Sequence, residues 1–284
     1  MMIQSKIENP KSPTDLNCDM GESFGAYVLG NDAALMPLVT SANIACGFHA
    51  GDPRVMAQTV RLALQNQVAL GAHPGFHDLV GFGRRVLDAT PDEIESDVLY
   101  QLGALSAFAQ AEGARLAHVK AHGALYNVAA TNPRVAFAIA RAVARFDANL
   151  VLVGLATSTA MADAARECGL RFAREGFCDR AYNRDGTLRS RREPGSLIRD
   201  PQRTAQQALQ MVRDGSVTTP EGETIPLAVD TLCVHGDTPE AVAILRAVRD
   251  VLAAADIELR SLDEGRRTKD ECLPSSVFRP SSQQ

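Results

Sequence analysis

Carboxylates, imidazoles and a lysine that could move protons or hold charge recur in short stretches of this chain. They are Asp19 with Glu22, His49 with Asp52, His73, Lys120 with His122, Asp179 with Arg180, and His235 with Asp237. Imidazoles titrate close to neutral pH, so His49, His122 and His235 are candidates for general acid or base work. The same rings, together with His73, could instead bind a metal with Asp19, and their spacing leaves that choice open. Lys120 is the sharpest single residue. The chain has only four lysines, and Lys6, Lys11 and Lys269 lie near its ends. An ammonium inside a protein needs partners. Lys120 is therefore read as neutralising an oxyanion or phosphate, as an acid of depressed pKa, or as half of a salt bridge to Asp19 or Asp179.

Other signals are weaker. His73 and His77 stand four apart, but Pro74-Gly75 between them argues against a metal-binding helix, and His77 is expected on the surface. His118 is expected to be a structural, hydrogen-bonded histidine. The segment GFGRR (81–85) lacks the third glycine and the preceding strand of a dinucleotide fingerprint, and no G-x-x-x-x-G-K-[ST] phosphate loop occurs. Arg184, Arg189, Arg191, Arg192 and Arg199 share one loop, with Gly186 and Gly195 as hinges. That loop reads as solvated, with a position over the active-site mouth as the functional alternative.

The elements that position these groups are legible. Asp52-Pro53, Thr90-Pro91, Asn132-Pro133, Asp200-Pro201 and Thr238-Pro239 each put a capping side chain before a proline, and Thr90 with Glu93 fits a capping box. Helices are expected near 31–38, 53–66, 91–112, 133–146, 158–168, 201–214 and 239–255. Seven β-like runs alternate with them, at 15–19, 41–47, 68–73, 116–122, 150–156, 172–179 and 231–237. Within several runs one face is polar or small: Asp15, Asn17 and Asp19; Ser41, Asn43 and Ala45; His118, Lys120 and His122; Thr231, Cys233 and His235. An open sheet covered by helices on both sides would be apolar on both. The pattern predicts an α/β fold with a barrel of seven strands whose interior is polar and partly wet, and whose charged groups sit at the strand C-termini. Residues 217–227 read as a hairpin. The barrel is expected to span 15–262, with flexible extensions at 1–14 and 263–284.

Composition closes off other classes. Of 284 residues, 45% are hydrophobic and 22% charged, with a net charge of −5, which suits a core-forming chain with no basic footprint for nucleic acid. No apolar run approaches membrane-spanning length, so no membrane association is expected. The first 14 residues lack the apolar core of a secretory signal. The six cysteines contain no C-x-x-C pair and read as buried thiols, which points to the cytoplasm.

Seven stretches carry a resemblance to a known family: DLNCDMGESFG (15–25), TSANIACGFHAGDP (40–53), GAHPGFHD (71–78), GFGRR (81–85), HVKAHGALYN (118–127), EGFCDRAY (175–182) and CVHGD (233–237). They resemble the LamB/YcsF family, the A subunits of prokaryotic 5-oxoprolinase. The resemblance implies a distorted seven-stranded β/α (TIM-like) barrel similar to the glycoside hydrolase/deacetylase superfamily. It also implies ATP-dependent opening of the lactam 5-oxoproline to L-glutamate, together with partner subunits B and C; because the chain has no recognisable nucleotide motif, the partners are expected to supply phosphoryl transfer. Ala121 and His77 stand where the family usually has proline, and Cys178 where it has alanine; no charged motif residue is lost. The expected catalytic set is Asp19, His49, Lys120, His122, Asp179 and His235. The expected substrate-binding set is Glu22, Asn43, Asp52, His73, Arg180 and Asp237. Lys120 would take charge on the carbonyl or its phosphorylated form, Asp19 or Asp179 would activate water, and a histidine would protonate the leaving nitrogen. A divalent metal is left open. A metal-dependent deacetylase or amidohydrolase that needs no ATP, and a non-catalytic lactam-binding subunit, are the alternatives.

Overall fold

The computed structural model describes residues 13–263. Seven parallel strands close into a barrel in the order β1-β2-β3-β4-β5-β6-β9. They are β1 (Asp15–Met20), β2 (Ser41–Ala45), β3 (Ala69–His73), β4 (His118–Lys120), β5 (Val151–Leu155), β6 (Arg171–Phe177) and β9 (Thr231–Val234). The short antiparallel pair β7 (Ser216–Thr218) and β8 (Thr224–Pro226) forms the expected hairpin before β9. The helices are α1 (Asp32–Leu35), α2 (Pro53–Gln65), α3 (Pro91–Ala111), α4 (Gly123–Thr131), α5 (Pro133–Asp147), α6 (Thr159–Glu167), α7 (Pro201–Asp214) and α8 (Ala241–Ala254). Nearly all of the expected extensions at 1–14 and 263–284 lie outside the described residues. Thr14 is inside them and bridges to Leu259.

Helix starts follow the capping chemistry. Asp52 accepts from the amides of Arg54 and Val55, Asn132 from Arg134, and Asp200 from Arg203. Thr90 and Glu93 complete the capping box. At Thr238 the expectation is corrected. The last helix opens at Ala241 without a side-chain cap, and the Thr238 hydroxyl is buried with no partner. Helix α4 is absent from the sequence-based expectation. It opens at Gly123 in a left-handed conformation (φ 55°), and the Ala124 amide is satisfied by the Gly83 carbonyl rather than by a capping residue. A helix whose first amide is met by a remote loop carries no local start signal.

The two strand faces behave as the alternation requires. Leu16, Cys18, Ala42, Ile44, Ala72, Val119, Leu152, Leu232 and Val234 point outward into the layer under the helices, all fully buried. Burying an aliphatic side chain of this size contributes about 1.5–3 kcal/mol. Inside the barrel, Val151, Val153 and Ala173 pack with Leu262 as a small apolar cluster of their own.

The expected polar, partly wet interior divides into two levels. Below the mouth, the inward polar groups pair with one another. Asp15 accepts from Thr40, Ser41 and Thr231 hydroxyls. Asn17 donates to Glu175 and Thr231, and Asn43 donates to Asn17 and Asp19. His118 donates from Nε2 to Asn43 Oδ1 at 2.8 Å, with burial lowering its pKa to about 3. Gly71 makes room for that ring, because a Cβ there would collide with His118 Nε2. The result is a packed polar layer in which neighbours answer most of one another's desolvation cost, with His118 Nδ1 and Glu175 Oε2 left without a partner. Open space begins above it.

Candidate active site

The cavity over the C-terminal ends of the strands has a volume of about 650 Å³. Asp19, Glu22, His73, Lys120, His122, Arg180, His235 and Asp237 all line it. Its floor is Lys120, which is 2% exposed. The ammonium lies 2.9 Å from Asp19 Oδ1 and 2.9 Å from Glu175 Oε1, and 5.2 Å from the centre of the Phe177 ring. Burial opposes the lysine's charge, but Asp19 and Glu175 outweigh it and hold its pKa well above the usual lysine range. The direction of this shift argues against a depressed-pKa acid, and the salt-bridge partners are Asp19 and Glu175, not Asp179. Burial likewise pushes Asp19 up, and His73 and Lys120 overcome it, leaving the carboxyl well below the usual range.

Asp179 serves His235. Both of its oxygens lie within 3.0 Å of His235 Nδ1, and one also accepts the His235 backbone amide. A carboxylate can only accept, so Nδ1 carries the hydrogen and Nε2 is the free ring nitrogen of a cavity-lining residue. Burial raises the Asp179 pKa, but the neighbouring His235 ring and amide lower it below the usual range overall.

On the other side of the cavity, three imidazoles meet. The rings of His49 and His122 stack in parallel with centroids 3.8 Å apart, and His73 stands edge-on to both. The Phe82 ring meets His49 and His122 edge-on, and Gly83 clears their space, since a Cβ there would lie 2.8 Å from each. Burial, followed by the other histidines, keeps His49 and His122 well below the usual histidine range, so both are neutral. Glu22 sits beside them, and burial together with Asp19 and Asp237 pushes its carboxyl well above the usual range. Glu22, His49, His73 and His122 offer ligand atoms that all lie within 4.8 Å of one another.

Arginines line the upper part of the cavity: Arg84, Arg85, Arg180, Arg189, Arg191 and Arg192. Arg84 donates to Asp237 at 2.6 Å, and Arg191 reaches the same carboxylate at 3.7 Å. Burial lowers Arg180 to about 10, which leaves it a cation at neutral pH. The arginine loop thus takes the second of its two expected positions, over the mouth, although Arg184 turns outward to Glu223.

Two expected substrate-binding residues lie elsewhere. Asp52 caps α2 and accepts the Gly25 amide outside the cavity, and Asn43 is fully buried one layer down, holding Asp19 and Asn17. His49 joins the histidine group without lining the cavity. His77 is exposed and stacks on Phe48. Sequence reasoning missed Glu175, Arg84 and Tyr126. Splitting the 172–179 run by face would have exposed Glu175, which sits on the same side as Ala173 and Phe177. Cys46 is pushed to about 12 by burial, and Cys18, Cys178 and Cys233 well above the thiol range, so none of these is a ready nucleophile.

The LamB/YcsF family model matches residues 14–267. The chain belongs to the LamB/YcsF family. A member from Symbiobacterium thermophilum, named as the A subunit of 5-oxoprolinase, is 54% identical over 253 residues, covering 89% of this chain and 97% of that one. Another of the same name from Chloroflexus aggregans is 58% identical, covering 87% and 98%. Among solved structures, the lactam utilization protein of Thermus thermophilus superposes with a TM-score of 0.84 at 50% identity, covering 88% of this chain and 100% of that one. The LamB/YcsF assignment agrees with the seven motif stretches, all of which fall inside the matched span.

Proposed function

We propose that this chain is the A subunit of an ATP-dependent 5-oxoprolinase, opening 5-oxoproline to L-glutamate together with partner subunits B and C. The observation that carries the reading is end-to-end identity above 50% to relatives named for that activity, combined with a cavity that joins a buried cation to a His–Asp pair. A five-membered lactam is an unreactive amide. The partners would activate its carbonyl oxygen with the γ-phosphoryl of ATP, since no phosphate-binding loop occurs in this chain.

The residues then divide the work. His235 Nε2, with Nδ1 committed to Asp179, accepts a proton from water as the water oxygen bonds to the carbonyl carbon. Lys120 faces the negative charge that develops on the carbonyl oxygen or its phosphoryl group, in a site from which bulk water is largely excluded. The C–N bond breaks, the nitrogen gains the proton that His235 took, and the ring opens to an acyl phosphate, whose hydrolysis by a second water releases inorganic phosphate and leaves the amino acid. Arg180, Arg191 and Arg192 lie where the substrate carboxylate or a phosphoryl group would need cations. Asp19 supports Lys120 here and does not act as the water-activating base.

Reconstitution tests the reading. The chain with both partners should consume 5-oxoproline and release glutamate only when ATP is present. Lactam hydrolysis by the chain alone, without ATP, would overturn the proposal and favour a self-sufficient amidohydrolase.

A further inference from the structure

We infer that Glu22, His49, His73 and His122 form a binding site for a divalent transition cation of the zinc class. Two backbone carbonyls fix the histidine tautomers. His73 Nδ1 lies 2.8 Å from the Lys120 carbonyl oxygen, and His122 Nε2 lies 2.9 Å from the Phe82 carbonyl oxygen. Carbonyl oxygens only accept, so His73 Nδ1 and His122 Nε2 each carry a hydrogen. The remaining nitrogens, His73 Nε2 and His122 Nδ1, face each other across 3.0 Å. Asp19 Oδ2 points at the same His73 nitrogen from 3.4 Å. Glu22 Oε1 lies 3.7 Å from His122 Nδ1 and 3.9 Å from His49 Nε2. Imidazole nitrogens and carboxylate oxygens converge on one spot.

Such an arrangement suits a positive charge at its centre. A single proton on His73 would answer the two contacts at that nitrogen. It would leave His49 unexplained, whose ring is fully buried and whose nitrogens both lack a partner. A metal ion answers the His73, His122 and Glu22 contacts together and takes one of the two His49 nitrogens. Ligands about 2.1 Å from a tetrahedral ion stand about 3.4 Å apart, and the three measured separations of 3.0, 3.7 and 3.9 Å bracket that value. Imidazole and carboxylate donors suit zinc, cobalt, nickel or iron more than magnesium or calcium. The two carbonyl contacts are the outer hydrogen bonds that fix the tautomer of a ligating histidine. Glu22, His73 and His122 also line the cavity, which supplies an entry path. Metal binding at this cluster stands whether or not the chain acts on a lactam.

The test uses the full-length chain stripped with a chelator and titrated with Zn(II) by calorimetry, and with Co(II) by visible absorption. One equivalent of each should bind, with the intensified Co(II) bands of a low-symmetry nitrogen-rich site. Glu22→Gln should weaken Zn(II) at least tenfold, and His73→Gln/His122→Gln should abolish the stoichiometric event. His77→Ala, which removes an exposed ring outside the cluster, should change neither. If the double variant does not fold, Glu22→Gln and the stoichiometry of the unaltered chain decide the matter. Failure of the unaltered chain to bind Zn(II), or undiminished affinity in Glu22→Gln, would overturn the inference. So would an imidazolium signal from His73 by nitrogen NMR persisting in saturating Zn(II), because a proton would then occupy the place assigned to the metal.

Discussion

Replacing Lys120 with Met separates its structural from its chemical contribution. The ammonium is 2% exposed and makes contacts of 2.9 Å with both Asp19 and Glu175. Removing it leaves two carboxylates facing each other in a buried layer. Deleting one partner of a buried ion pair costs about 3–5 kcal/mol. For a chain of this size, about 2–4 °C is lost per kcal/mol, so Lys120→Met should melt about 6–20 °C lower. Adding Glu175→Gln removes one of the stranded charges, and the double variant should recover a substantial part of that loss. Turnover should not follow. Losing a charge-stabilising donor costs about 10²–10³-fold in rate, and the glutamine cannot replace it. The assay is thermal unfolding of both variants alongside single-turnover glutamate formation with both partner subunits and ATP. Recovery of turnover in parallel with recovery of the melting temperature would refute the reasoning, because Lys120 would then be only a strut.

Three further outcomes follow from the structure. Asp179→Asn should leave the barrel folded but lower single-turnover ring opening on the order of 10²–10⁴-fold with little change in substrate affinity, because an amide no longer fixes the His235 tautomer; unchanged rates would remove the pair from the chemistry. His118, lowered to about 3 by burial and by Lys120, stays neutral in the folded chain while the unfolded chain takes up its proton near pH 6.5. Stability is then lost as pH falls below about 6.5, and between pH 7 and pH 5 the unaltered chain should lose about 2 kcal/mol more than His118→Gln in denaturant melts; parallel pH profiles would contradict this. Asp52→Ala should cost about 1 kcal/mol of stability through loss of the α2 cap, and a null effect on urea unfolding would show that the Gly25 and helix contacts carry no weight.

The sequence disclosed most of the barrel because its physics is local and periodic. Alternation of two faces along Asp15–Met20 and Ser41–Ala45 distinguishes an interior that is polar from an exterior that is greasy, and proline behind a capping side chain marks four of the five helix starts read that way. What escaped depended on contacts distant in the chain. Gly123–Thr131 is anchored by a carbonyl 41 residues away, at Gly83, and gives no signal of its own. Asp52 reads as a site residue because it follows His49 in a charged motif, yet its carboxylate is spent on the amides of Arg54 and Val55. The choice between Asp179 and Glu175 as the partner of Lys120 depends on the register of β6 against β9, which places Phe177 opposite Cys233 and sends Asp179 beyond the strand end toward His235. The confrontation of His73 with His122 is a matter of ring orientation, which no spacing rule encodes.

Ring opening at the mouth of this barrel is the claim on which the rest depends. The most direct measurement is single-turnover conversion of 5-oxoproline by the complete assembly, in which only this chain carries His235→Gln and the partners are unaltered. Glutamate formation should fall at least 10²-fold while the chain still melts as a folded protein and still assembles with its partners. Turnover at the unaltered rate would place the chemistry elsewhere and contradict that claim.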